Sequence, residues 1–186
     1  MATIRMATPA DAAAIAAVYR PYVTDAATSF EVDPPSAAAM AERVRAVLAI
    51  APWLVYTADG GPPIGYAYAS RHHDRAAYQW SVDVTVYIHA DHHRRGIGRA
   101  LYQQLFALLR LQGFYAAHAG ITLPNAGSVG LHESLGFQPV GVYPGVGWKL
   151  GAWRDVGWWQ LALQVRPPAP APPLSPAQAQ ALPGWI

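Results

Sequence analysis

The stretch Val82 to Leu111 constrains this chain more than any other. Residues 82–88, Val-Asp-Val-Thr-Val-Tyr-Ile, are β-branched and aromatic and read as a strand. From Ile97 the pattern changes. Ile97, Leu101, Leu105 and Leu108 recur at three- and four-residue spacing, the mark of an amphipathic helix. The turn between them carries Arg94, Arg95, Gly96, Gly98 and Arg99. Glycine allows a backbone to approach a ligand closely. Amides at a helix N-terminus attract anions, and phosphate above all. A strand, a basic glycine turn and a helix in this order predict a pyrophosphate cradle. It is neither a Walker loop, which ends in Gly-Lys-Ser/Thr, nor a dinucleotide fingerprint, which has a third glycine.

Length and composition narrow the setting. A chain of 186 residues is one domain by prior and can bury a sizeable core. Hydrophobic residues make up 53% and charged ones 13%, which excludes a disordered chain. No apolar run is long enough to span a membrane, and residues 1–5 do not begin an apolar leader, so a cytoplasmic protein is expected. With no cysteine there is no disulfide, thiol nucleophile or thiolate metal site. A net charge of +2, with scattered arginines, gives no reason to expect nucleic acid as a partner. His72, His73, His89, His92 and His93 lack the spacing of a metal motif, so no metal is expected.

Periodicity and turn signals set the order of elements. A short strand at 3–6 leads to a helix from Pro9 to about Tyr22, with Thr8 as its cap. Ser36 caps a second helix that ends near Ile50. Strands at 53–57 and 64–70 flank the turn Asp59-Gly60-Gly61, and another covers 80–88. After the long helix come a strand at 116–122, a short helix at 125–135 and two strands at 141–150 and 155–165. This alternation predicts a mixed α/β fold with helices on both faces of the sheet. Beyond Arg166 seven prolines and no charges mark a tail, 167–186, that is extended, disordered or packed along the surface.

The cradle His93-Arg94-Arg95-Gly96-Ile97-Gly98 and the string His132-Glu133-Ser134-Leu135-Gly136-Phe137 resemble the GNAT acyltransferase superfamily. Its acetyl-CoA loop is Gln/Arg-x-x-Gly-x-Gly/Ala, and His93 departs from its first position. Within it the chain looks like the phosphinothricin and methionine sulfoximine N-acetyltransferases. The resemblance covers roughly residues 3–163 and rests on strings such as 52–55, 65–69, 77–80, 85–88, 120–125 and 153–161. It implies a GNAT domain over 1–166, with a central mixed, mostly antiparallel sheet flanked by helices. It also implies acetyl transfer from acetyl-CoA to the amino group of a small amino acid or analogue, and a homodimer. Trp148, Trp153, Trp158 and Trp159 hint at that dimer interface. Other amines as acceptors, or an acyl-CoA sensor without catalysis, are the competing readings.

The resemblance also implies roles. Arg94, Arg95, Gly96, Ile97, Gly98 and Arg99 would hold pyrophosphate, and the strand Val86-Tyr87-Ile88 would pair with the pantetheine arm. Asn125 and Ser134 would be further cofactor contacts. Asp83 stands where relatives hold a glutamate that deprotonates the amine; a carboxylate inside an apolar strand is costly without a role. His132 falls on a second proposed catalytic position, suited to proton transfer near neutrality. Arg75 and Tyr78, with His73 in place of a lysine, would receive the acidic end of the substrate. Phe30 and Thr85 would line the pocket.

Overall fold

The computed structural model describes residues 2–186. Seven strands form one sheet in the order β1-β2-β3-β4-β5-β7-β6. They are β1 (Ala2–Met6), β2 (Trp53–Ala58), β3 (Pro63–Arg71), β4 (Ser81–Ile88), β5 (Ala116–Leu123), β6 (Gln138–Lys149) and β7 (Ala152–Ala162). Every neighbouring pair is antiparallel except β4 and β5. The helices are α1 (Ala12–Thr24), α2 (Ala37–Leu48), α3 (Ile97–Gln112), α4 (Ala126–Ser134) and the single turn α5 (Pro176–Ala179).

Alternation along the strands divides the core in two. Trp53, Val55 and Tyr66 face α1 and α2, where they meet Ile15, Val18, Met40 and Val44. Leu54, Ala67, Val82, Val84 and Ala117 face the other way, onto Leu101, Leu105, Leu108 and Leu109 of α3. Val129 and Leu131 of α4, and Leu135 just after it, join this second layer. Each fully buried leucine contributes about 1.5–3 kcal/mol. Truncating Leu105 to alanine would therefore cost about 2–5 kcal/mol once the cavity is counted.

Local chemistry explains the helix ends. The Ser36 hydroxyl accepts from the Ala39 amide at 3.1 Å, and Asn125 Oδ1 from the Ser128 amide at 3.0 Å. Gly113, at φ 90°, stops α3. The last two strands begin earlier than the sequence pattern suggests. Leu150 and Gly151, at φ 49° and 72°, close a tight turn of the kind that joins paired strands, so no gap separates β6 from β7.

The proline-rich tail packs on the domain. The Leu174 amide donates to the Gln112 carbonyl at 2.7 Å, and Gln112 Nε2 donates back to the Leu174 carbonyl at 2.8 Å. Trp80 Nε1 donates to the Ala171 carbonyl at 2.8 Å, and Pro176 and Ala179 are buried. Among the described residues no helix is long and apolar enough to cross a membrane.

Candidate active site

The sheet opens where β4 meets β5. These two strands pair only at Ser81–Ala116, Val82–Ala117 and Asp83–His118. Beyond that point β4 continues to Ile88 and β5 to Leu123 as two diverging arms. The far side of β4 stays hydrogen-bonded to β3 as far as Ile88. Its near side has no partner strand over 84–88 and, apart from the Ile88 carbonyl, which accepts from the Tyr22 hydroxyl, an extended ligand can pair with it. A small cavity of about 70 Å³ marks this fork, lined by Val84, Thr85, Val86, Tyr87, Gly120, Asn125 and His132 among others.

The cradle lies at the mouth of the fork. Gly96 takes a left-handed φ of 78° and caps α3, and a Cβ there would meet nothing within 4 Å. Arg94, at φ 58°, is also left-handed, so the turn is tightly wound. Arg94 and Arg95 are exposed and carry no ion pair among the described residues. Gly98 serves a different need: a Cβ there would stand 3.2 Å from Leu131, so its small size lets α4 pack. Arg99 reaches across to α4, where its guanidinium donates to the Ser134 hydroxyl at 2.7 Å. His93 turns away from the cradle. Its Nε2 lies 2.7 Å from the Tyr22 hydroxyl and 2.9 Å from the Ile88 carbonyl. The geometry fits a pyrophosphate with an extended arm: free amides at a helix start, unpaired cations and an open strand edge.

His132 is buried beside the fork and both ring nitrogens are engaged. Nδ1 lies 2.8 Å from the Ser128 carbonyl, and Nε2 lies 3.1 Å from the Tyr102 hydroxyl. A carbonyl only accepts, so Nδ1 carries the hydrogen and Nε2 accepts from Tyr102. Burial pushes the imidazole below its ordinary pKa, opposed by the Ser128 carbonyl. The ring is thus held neutral in a closed network.

Asp83 lies at the apex of the fork, on the face covered by α1 and α2. Its cross-strand neighbours are Ser70 on β3 and His118 on β5. His72, just after β3, places Nδ1 2.7 Å from Asp83 Oδ1. The His72 ring stacks on His118 with centroids 4.2 Å apart and an angle of 15°. Burial raises the Asp83 carboxyl above its ordinary pKa, and the hydrogen bond and charge of His72 pull in the opposite direction. His118 is pushed below its ordinary value, chiefly by burial. The sequence pattern singled out neither His118 nor a partnership of His72 with Asp83. The one available signal was a lone imidazole within the apolar run Ala116–Leu123.

The remaining expected residues fall in two places. His73 and Tyr78 join the His72 cluster, with ring centroids 4.3 Å (His72–His73) and 4.7 Å (His73–Tyr78) apart. Both also line a cavity of about 460 Å³ with Arg71, Arg75 and the tail residues Leu174 and Gln178. Arg75 is exposed there and makes no ion pair among the described residues. Thr85 lies on the Asp83 face, opposite Tyr68. A second cavity of about 290 Å³ on this face is lined by Tyr19, Glu31, Arg43, Tyr68 and Ser70. Phe30 sits further off, over Gly147 of β6, where any Cβ would collide with its ring. Of the four tryptophans, Trp148 and Trp153 are 60% and 67% exposed, whereas Trp159 is buried in the core and leaves no surface for an interface.

Known proteins share this arrangement. The acetyltransferase (GNAT) domain family matches residues 4–158. A phosphinothricin N-acetyltransferase of Streptomyces viridochromogenes is 38% identical over 173 residues, covering 93% of each chain. An L-methionine sulfoximine/L-methionine sulfone acetyltransferase of Salmonella typhimurium is 36% identical, over 87% of this chain and 94% of that one. The structure of a GNAT superfamily phosphinothricin acetyltransferase from Sinorhizobium meliloti, in complex with acetyl-CoA, superposes with a TM-score of 0.83 at 34% identity. That match covers 87% of this chain and 88% of the other. A forked mixed sheet with a basic glycine cradle at its mouth, matched over nearly its whole length, places this chain in the GNAT acetyltransferase family.

Proposed function

We propose that the chain transfers the acetyl group of acetyl-CoA to the amino group of a small amino acid or close analogue, of the phosphinothricin or methionine sulfoximine kind. The observation that carries this reading is the half-buried carboxylate of Asp83 at the apex of the fork, beside the open edge of β4. When bound, acetyl-CoA supplies an activated acyl carbon and a thiolate leaving group. The residues that would hold it are Arg94, Arg95, Gly96, Ile97, Gly98 and Arg99 at the pyrophosphate, and Val86, Tyr87 and Ile88 along the arm. Asn125, the cap of α4, and Ser134, its last residue, would add contacts to it.

An ammonium group has to lose a proton before it can attack. Burial at the apex raises the affinity of Asp83 for a proton, against the pull of the His72 hydrogen bond. An unpaired amide on the β4 edge would polarise the thioester carbonyl without reorganisation. The unpaired guanidinium of Arg75, with His73 and Tyr78, supports binding of the acidic end of the acceptor, for which arginine offers a bidentate fork. His132, closed in its own network, supports the α4 flank of the fork and positions Tyr102.

The exposed apolar side chains Val142, Tyr143, Val146, Trp148 and Trp153 on β6 and β7 support pairing with a second copy. Dependence on acetyl-CoA is consistent with work in the cytoplasm. Thiol release is the decisive assay, run with acetyl-CoA against phosphinothricin, methionine sulfoximine, ordinary amino acids, a peptide with a free N-terminus and a polyamine. Turnover confined to the amino acids and their analogues supports the reading. Turnover on the peptide or polyamine alone overturns it, and a stable monomer at micromolar concentration overturns the dimer.

A further inference from the structure

Asp83 does not face the fork alone. A carboxylate accepts hydrogen bonds only, so the 2.7 Å contact with His72 Nδ1 fixes the neutral ring with its hydrogen on Nδ1. The lone pair is then on Nε2. Among the described residues that atom makes no hydrogen bond, and it is not sealed from solvent, in contrast to the orphaned Nδ1 of His118. The ring is also held in orientation. It stacks on His118 at 4.2 Å, meets His73 at 4.3 Å, and has Tyr78 and Trp158 edge-on at 6.0 Å. A carboxylate that orients an imidazole through one nitrogen, leaving the other free for proton transfer, is a recurring catalytic arrangement.

We propose that His72 Nε2 is the atom that takes the proton from the acceptor's ammonium group, with Asp83 as its positioning carboxylate. This rests on the acetyl-transfer reading above. The step balances without any further reagent. The ammonium gives one proton to His72 Nε2, and the freed amine nitrogen bonds to the acetyl carbon. The carbon–sulfur bond breaks, and the second nitrogen-bound proton passes to the departing thiolate. The imidazolium then returns its proton to solvent. Asp83 remains ionised throughout and offsets the charge formed on the ring.

The titratable groups facing His72 are Asp83 from β4, His73 and Tyr78 from the β3–β4 connection, and His118 from β5. Among them only Asp83 is a carboxylic acid, and it is the group placed to offset a positive charge on the ring. His118 is pushed below its ordinary value chiefly by burial and next by the charge of His72, so it yields its own proton first.

Two measurements test the assignment. In ¹⁵N-labelled wild-type protein at high pH, Nδ1 of His72 should report as protonated and Nε2 as bare; a neutral ring protonated on Nε2 overturns the proposal without reference to any substrate. In kinetics, His72→Ala should lower kcat by about 10²–10⁴-fold, with the acetyl-CoA KM unchanged. Free imidazole added to that variant should restore part of the rate, which a merely structural role would not permit. Wild-type turnover in His72→Ala, with an unaltered pH profile, overturns the proposal and returns the proton to Asp83 itself. Absence of amino-acid-dependent thiol release from the wild type overturns the acetyl-transfer reading, and the tautomer separates that failure from failure of the dyad.

Discussion

The two arms of the fork are built in different ways. The side proposed for the cofactor comes from short contiguous segments: residues 84–99 supply the open edge and the glycine turn, and 125–134 the flank. The side proposed for the acceptor is gathered from far apart. His72 follows β3, Asp83 lies on β4, His118 on β5 and Arg43 on α2, and the tail closes one cavity. A phosphate site needs amides and cations, which one turn can provide. A site that removes a proton and recognises a small acid needs groups converging from several directions. The first kind of site is local chemistry, and the second is topology.

That contrast is open to test, and the apex should give the largest effect. Asp83→Asn keeps size but removes the charge that holds the imidazole, and kcat should fall by about 10²–10⁴-fold in the thiol-release assay. The deficit should shrink at high pH, where the amine is already free. A wild-type rate near neutral pH would move the chemistry off the acceptor side altogether.

The cradle should respond in binding rather than turnover. Arg94→Glu with Arg95→Glu places two repulsive charges beside the pyrophosphate, and acetyl-CoA affinity by calorimetry should fall by about 10–100-fold, less so in high salt. The acceptor KM should hardly move. An effect on both would mean the two sides are coupled. Next comes Arg75→Ala, which removes a contact of about 1.5–3 kcal/mol to the acid end of the acceptor. The KM for methionine sulfoximine should rise by about an order of magnitude or more while that for acetyl-CoA holds. Equal KM values before and after would leave Arg75 as a bystander at the tail cavity.

The smallest effect concerns stability. His132→Ala orphans the buried Tyr102 hydroxyl and should cost about 1–3 kcal/mol, or several degrees in Tm. Its pH dependence has a definite sign. His132 and His118 are held below their ordinary pKa, so the unfolded chain binds more protons than the folded one between the two values. Stability is full above the unfolded pKa of about 6.5 and declines as the pH falls through it. A wild-type Tm that stays flat from pH 7.5 down to pH 5.5 would contradict this.

The same contrast explains what the sequence discloses. Strand, glycine turn and helix are written consecutively between Val82 and Leu111, and the structure has them there. The Ser36 and Asn125 caps are equally local. Asp83 stood out because a carboxylate in an apolar strand needs an explanation. Its partner His72 is eleven positions away and reaches it only because β3 and β4 are paired. His118 arrives through a parallel pairing across the whole of α3, which no periodicity reports. The packing of the tail was likewise beyond composition, because its anchor is the side chain of Gln112 on another element.

The tail also has a meaning for how such an enzyme diversifies. Leu174, Ser175 and Gln178 form part of a cavity wall, yet none belongs to the sheet, and α5 is tied down mainly through Gln112 and its buried Pro176 and Ala179. Changes of length or side chain there reshape the room beside Arg75 without breaking a strand pairing or touching the proton-transfer apex. If that cavity receives the acceptor as proposed, acceptor range can drift at the end of the chain while the glycine turn and the open edge of β4 are left as they are.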